Sequence, residues 1–232
     1  MLAFVDESRK SIGTRDIISI GFFVTNNFQA AYETLMKGYR GLIRRYSLRL
    51  KSVEIKFSTL LRSLASSLSK FDAGDINAIF EPIIRKLAGF GYPIAFVFDQ
   101  YVEFNIIPMV SEYLSILKSS RTLRKVGRAI GYTGFRPSRR TLSLLSMLIL
   151  IHKLYEVHRV IVDRNLVDKR NLSFIRESIR ELKLGFDVIL CRPEQEKGIL
   201  LADFVAGYSR YINTAKFYVI TNAVLIFRKP LQ

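Results

Sequence analysis

Residues 2–25 read LAFVDESRKSIGTRDIISIGFFVT, two apolar runs separated by a polar, glycine-containing stretch. Leu2 to Val5 is a short strand-length run closing on Asp6, and residues 17–25 form a second. Residues 8–16 between them carry the turn chemistry, so the pair predicts a β-hairpin at the start of the chain. Downstream the period changes. Leu35, Tyr39, Leu42 and Tyr46 recur on one helical face and Lys37, Arg40 and Arg44 on another, which predicts an amphipathic helix with a basic side over residues 29–50. Residues 53–57 have the length of a short strand. Residues 76–87 read as a helix, with Pro82 forcing a kink or marking a first turn. Pro93 then opens the apolar strand Ile94 to Phe98, which stops at Asp99.

A helix over residues 104–117, a glycine-bearing basic segment over 118–140 and a buried helix over 142–155 follow. A third apolar strand, Arg159 to Val162, closes on Asp163. Residues 172–182 read as a polar helix, 186–190 as a strand, 198–211 as a helix apolar on nearly every side, and 217–227 as one or two strands. A hairpin followed by alternating helix and strand predicts an α/β fold, a mixed sheet with flanking helices, over residues 1–232 as one domain. Parallel strands of such a sheet aim their carboxyl ends at a common edge, where ligands bind.

The 36 Lys and Arg residues outnumber the 20 Asp and Glu, and a formal charge of +16 makes a field that attracts polyanions, with nucleic acid the leading partner. Cys191 is the one cysteine, which rules out an intrachain disulfide and fits a reducing, cytoplasmic interior. With only His152 and His158 beside it, no Cys/His zinc set can form, and any metal must be held by oxygen. Charge appears at Asp6 and Glu7, before an apolar signal segment could form. The longest apolar stretch, residues 142–151, is interrupted by Ser143 and Ser146 and is far shorter than the roughly 20 residues of a membrane span, so no membrane association is expected.

Three apolar strands therefore end in aspartate: Asp6, Asp99 and Asp163. A fourth carboxylate, Asp203, is the only charge between Lys197 and Arg210, and its apolar surroundings predict an interior position. An isolated buried carboxylate is costly unless paired, protonated, hydrogen-bonded or bound to metal. Ala202, Ala206 and Gly207 are small enough to let this helix approach the sheet closely. A cluster of hard carboxylate oxygens suits Mg2+ or Mn2+, and two such ions can activate water and stabilise the leaving oxygen of a phosphodiester. Each aspartate also has an ordinary explanation: an aspartate at a strand end is common turn chemistry, and Asp203 can be a core carboxylate satisfied by backbone donors.

The segments Asp6-Glu7-Ser8, Val160-Ile-Val-Asp163 and Leu201-Ala-Asp203-Phe-Val-Ala-Gly207 resemble, in order and over almost the whole chain, the family catalogued as domain of unknown function 3800. Glu54-Ile-Lys56 is similar to that family's Glu-x-Lys segment. The resemblance implies a ribonuclease-H-like fold and a metal-dependent nuclease acting on DNA or RNA. Asp6, Asp163 and Asp203 are then its metal ligands, Glu7 and Glu54 further members of the catalytic set, and Lys56 a phosphate contact, while Glu54 can equally be a surface strand charge. A strand continuing through Glu7 turns that side chain to the opposite face, where it would hold an Arg or Lys. Arg9 stands where the family often has glycine and Leu200 where it often has glutamine. These departures motivate a first alternative, a nucleic-acid-binding protein with the same fold and no chemistry. A second alternative is an interaction protein forming a homo-oligomer through its apolar C-terminal strands.

Residues 118–140 carry eight basic residues and no acidic one. Arg121, Arg124, Lys125, Arg128, Arg136, Arg139 and Arg140 are the expected phosphate contacts, with Tyr132 and Phe135 available for base stacking. Gly127, Gly131, Gly134 and Pro137 predict a loop in the later part of this segment. The alternative for the same residues is a solvated basic loop with its aromatics in the core.

Overall fold

The computed structural model describes residues 1–12, 15–50, 55–68, 71–98, 108–132, 136–211, 218–220 and 225–228. Backbone contacts divide the chain into two compact units, residues 1–3 with 101–191, and residues 4–100 with 192–232. Both combine helices with strands, and the chain is an α/β protein with a mixed sheet flanked by helices.

The unit formed by residues 4–100 and 192–232 opens on β1 (Leu2–Ile12, whose first residues group with the other unit) and β2 (Arg15–Thr25). The expected hairpin is present, but its strands are longer than the apolar runs that signal them. Asp6 therefore does not end a strand; it sits within β1, because pairing carries the backbone through the polar residues that follow. Helix α1 (Phe28–Arg45) starts on Asn27, whose side chain accepts the Ala30 N–H at 3.2 Å. It stops short of residue 50 because Ser47 turns left-handed (φ 50°) and the Leu48 N–H closes back on Ile43 O at 3.0 Å.

Phe57, expected at a strand end, instead begins α2 (Phe57–Ser67). Helix α3 (Ala73–Leu87) begins three residues earlier than its apolar period suggests. Asp72 accepts from Gly74 N and Asp75 N, and Asp75 answers to Asp72 N, a reciprocal capping box. Pro82 lies inside this helix. Strand β3 (Tyr92–Phe98) pairs antiparallel with β2, Gly21 opposite Ala95. Helix α8 (Ile199–Ser209) follows, then β6 (Tyr218–Ile220) and β7 (Leu225–Arg228). The strand order is β1-β2-β3-β7-β6, with β3 and β7 parallel and β7 and β6 antiparallel. Phe23, Leu35, Tyr39, Phe57, Phe80, Val97 and Phe204 belong to one buried core that joins α1, α2, α3 and α8 to the sheet.

The other unit contains α4 (Pro108–Lys118), α5 (Ser120–Ala129), α6 (Arg139–Tyr155), β4 (Arg159–Asp163), α7 (Lys169–Glu181) and β5 (Asp187–Cys191). Strands β4 and β5 are parallel, with Asp163 opposite Cys191, and the Met1 carbonyl accepts the His158 N–H at 3.0 Å. Helix α5 fills residues 120–129 and takes in Gly127, while residues 130–132 and 136–138 lie outside any helix or strand, in the later part of the segment where a loop is expected, and α6 starts at Arg139. The glycines end a helix rather than prevent one. Gly131 takes φ 76°, its N–H returns to Arg128 O, and the Tyr132 N–H returns to Gly127 O at 2.8 Å, the paired closure of a glycine-terminated helix. No described helix is long and apolar enough to cross a membrane.

Candidate functional site

Helix α8 shows how a sequence motif becomes geometry. Its small residues face β2: a methyl group built on Gly21 would fall 2.5 Å from Ala202 O and closer still to Ala206 N, so strand and helix backbones meet with no room for a side chain. One turn on, a methyl on Gly207 would lie 2.7 Å from Phe57 Cγ, so the Phe57 ring rests directly on the helix. The close approach expected of Ala202, Ala206 and Gly207 is what seats both β2 and α2.

Asp203 belongs to the same seat. Its Oδ2 accepts the Phe57 N–H at 2.9 Å. Phe57 is the first residue of α2, and its N-cap residue, Lys56, makes no side-chain capping bond to the helix. Asp203 thus supplies from a distant helix the acceptor a local N-cap would normally provide, at the end of α2 where the helix dipole favours negative charge. The carboxylate is half-buried rather than interior. Burial, and then the Asp203 charge, push the Tyr39 phenol well above its ordinary value, so Tyr39 stays protonated beside the carboxylate. Tyr39 is 1% exposed and meets the Phe204 ring edge-on at 5.8 Å.

In the same unit the Asp6 Oδ1 accepts the N–H of Glu7 at 2.7 Å. Glu7 forms an ion pair with Arg9, two residues along the same strand and therefore on the same face. That agrees with the expectation that Glu7 holds a basic side chain, and Arg9 is the base it holds. Arg210, just past α8, donates in turn to the Arg9 carbonyl. Asp99 and Glu54 lie outside the described residues.

In the unit of residues 101–191, Asp163 is the last residue of β4 and 3% exposed. Its Oδ1 accepts the Asn165 N–H at 2.7 Å and its carbonyl the Leu166 N–H at 3.0 Å, the side-chain-stabilised turn common to aspartates at strand ends. No ion pair reaches Asp163 among the described residues. Asp163 thus falls in one unit, and Asp6 and Asp203 in the other. Among the described residues, no group of three or more His, Cys, Asp or Glu is arranged to hold a metal ion.

The basic residues of α5 form a sharper pattern. Arg121, Arg124, Lys125 and Arg128 are all exposed, and their i, i+3, i+4, i+7 spacing puts them on one helical face, with Thr122 and Val126 buried on the other. Lys125 reaches Glu181 of α7 at 2.6 Å. Tyr132 is 45% exposed rather than tucked into the core, and the Arg170 guanidinium lies over its ring at 4.1 Å. Arg136 and Arg139 are exposed at the entry to α6, and Arg140 is half-buried; Phe135 lies outside the described residues. Arg170 is the one member of this surface that sequence reasoning missed. It follows the Asp168 cap of α7, and only the fold carries it to Tyr132.

No protein-family model, curated protein or solved structure matches this chain.

Proposed function

We propose that this protein binds the sugar–phosphate backbone of DNA or RNA through the exposed face of α5. The observation that carries this reading is the stripe Arg121, Arg124, Lys125 and Arg128, on a segment of residues 118–140 with no acidic residue. A row of guanidinium and ammonium groups at helical spacing supplies the charge-assisted donors that phosphate oxygens accept, and releases counterions from the polyanion on binding. Tyr132 under Arg170 offers an adjacent face for base stacking. Arg136, Arg139 and Arg140 extend the basic surface to the start of α6, and Lys56 is a further phosphate contact in the reading drawn from the family resemblance.

The test is the affinity of the full chain for single-stranded, duplex and hybrid oligonucleotides over a salt series. A steep decline of affinity with salt is expected. Affinity independent of salt would exclude backbone recognition and favour the homo-oligomeric interaction protein.

Metal-dependent phosphodiester hydrolysis in a ribonuclease-H-like fold is the second reading. It is favoured by one observation: Asp163, at 3% exposure, has no ion pair among the described residues. A cation at that carboxylate would offset a desolvation otherwise met only by turn donors. In this reading Asp163 would be a ligand of Mg2+ or Mn2+, and a bound ion would supply Lewis-acid activation of a phosphodiester. Cleavage of the same oligonucleotides with Mg2+ or Mn2+, abolished by Asp163→Asn, is the expected result. Binding without cleavage under either metal would leave a nucleic-acid-binding protein that lacks the chemistry.

A further inference from the structure

We propose that the groove between α1 and α3 is a docking site for an acidic amphipathic helix of a partner protein. The groove encloses about 800 Å3 and lies in the unit of residues 4–100 and 192–232, whereas α5 belongs to the unit of residues 1–3 and 101–191. Its rim is basic: Lys37, Arg40 and Arg44 line it from α1 and Lys86 from α3, all exposed. None of these four is in an ion pair with any described residue. Its apolar lining is the buried Ile83 with the exposed Pro82 and Phe90.

The groove exists because α1 carries two glycines where it faces α3. Gly38 packs closely, since a methyl there would lie 3.0 Å from the Ile83 side chain. Gly41 is different. A methyl at Gly41 would meet nothing within 4 Å, and its backbone is ordinary helix. Glycine is the poorest helix former after proline, and no contact inside the fold calls for it here. What Gly41 does provide is depth, beside a row of unpaired cations.

Charge and lining together identify the occupant. Four cations without carboxylates call for an anionic partner, and an apolar lining rewards one that also brings aliphatic side chains. An amphipathic helix with Leu-type residues on one face and Asp or Glu on its flanks meets both requirements, and Thr34 to Arg44 spans about 15 Å, three turns of such a helix. A phosphodiester backbone would use the cations but has nothing to bury on Ile83 and Pro82, and among the described residues Phe90 is the one aromatic ring lining the groove for a base to stack on.

The experiment titrates the full chain into a fluorescent synthetic peptide of roughly 20 residues, with leucines at helical i, i+3, i+4, i+7 spacing and glutamates elsewhere. Gly41→Leu, which fills the groove without changing charge, should weaken binding by about tenfold or more, and so should Lys37→Glu with Arg40→Glu. Both charge-reversal positions are exposed, so that variant reports on the groove even where Gly41→Leu disturbs α1. Arg121→Ala with Arg124→Ala and Arg128→Ala should leave peptide affinity within about twofold, which separates this site from the nucleic-acid surface. Equal binding of a composition-matched scrambled peptide would overturn the proposal, because charge alone would then account for the affinity. Absence of peptide binding would also overturn it. So would a single-stranded oligonucleotide whose affinity falls with Gly41→Leu, which would assign the groove to nucleic acid.

Discussion

Helices α5 and α8 are nearly equal in length and opposite in surface. Helix α5 buries Thr122 and Val126 and turns Arg121, Arg124, Lys125 and Arg128 to solvent. Helix α8 buries every residue from Ile199 to Ser209 except the half-buried Asp203. The single charge of α8 is explained by the fold, because it meets the first N–H of α2. Helix α5 carries four charges, of which Lys125 pairs with Glu181. A lone charge in an apolar helix attracts attention in a sequence, yet here the more informative charges are the repeated ones on the exposed helix. Four like charges along one face repel one another, and a polyanion relieves that repulsion.

The largest effect expected from disturbing this contrast lies at the seat of α8. Gly21→Ala forces a methyl against the Ala202 and Ala206 backbone, neither of which can rotate away. Strand and helix must separate, and the expected loss is about 3 kcal/mol of unfolding free energy. Urea denaturation of the native chain and the variant checks it. An unchanged midpoint would mean that α8 does not pack on β2 at this point.

Asp203→Ala comes next. It removes the acceptor for Phe57 N–H from an otherwise uncapped helix, and about 1–2 kcal/mol should be lost. Melting with and without Mg2+ sharpens the comparison. If Asp203 also holds metal, added Mg2+ raises the melting temperature of the native chain and does so less in the variant. An equal metal response in both would assign Asp203 to the fold alone.

These residues also mark how far the sequence can be read. The hairpin, the amphipathic α1, the apolar β3 and β4 and the buried α6 are legible because one period governs each. Strand ends and helix starts are less so. The pairing of β1 continues through Asp6 although the apolar run stops at Val5, and α3 begins on a capping box whose answering residue is Asp75 where glutamate is the usual signal. Within the site, the small residues of α8 reveal close packing. The partner of Asp203 is 146 positions away, and no local pattern announces an N–H that distant. Glycines 127 and 131 suggest a loop because a sequence does not distinguish a glycine that ends a helix from one that forbids it.

A smaller effect is expected at the cap of α7. Asp168 accepts the Asn171 N–H at 2.8 Å, and this bond holds its carboxyl below the ordinary carboxylate value. A lowered folded-state pKa means the stabilisation is fully present above the unfolded value, near pH 4, and disappears as pH falls through the folded value. Asp168→Ala should cost about 1 kcal/mol at neutral pH. In acid the difference between the two chains should shrink, as thermal melts over a pH series would register. A difference that stays constant down to low pH would detach the cap from the carboxylate's charge.

The smallest effect on stability, and the most informative one, belongs to α5. Arg121, Arg124 and Arg128 are exposed and lie on the face opposite Thr122 and Val126. Replacing all three with alanine removes no buried contact of that face and substitutes a better helix former, so unfolding free energy should stay within about 0.5 kcal/mol of the native chain. Nucleic-acid affinity should respond quite differently. If the three side chains contact phosphates of a duplex, the slope of log affinity against log salt should flatten by about 2–3 units, one counterion's share for each lost contact. Fold and binding are thereby separated in one variant, since stability is expected to hold while salt dependence collapses. A variant with the native salt slope would show that the stripe is only a solvated face, and the polyanion would have to be sought elsewhere on the basic surface. A variant that loses stability in step with affinity would mean that these arginines serve the packing of their unit, and the contrast between α5 and α8 would no longer hold.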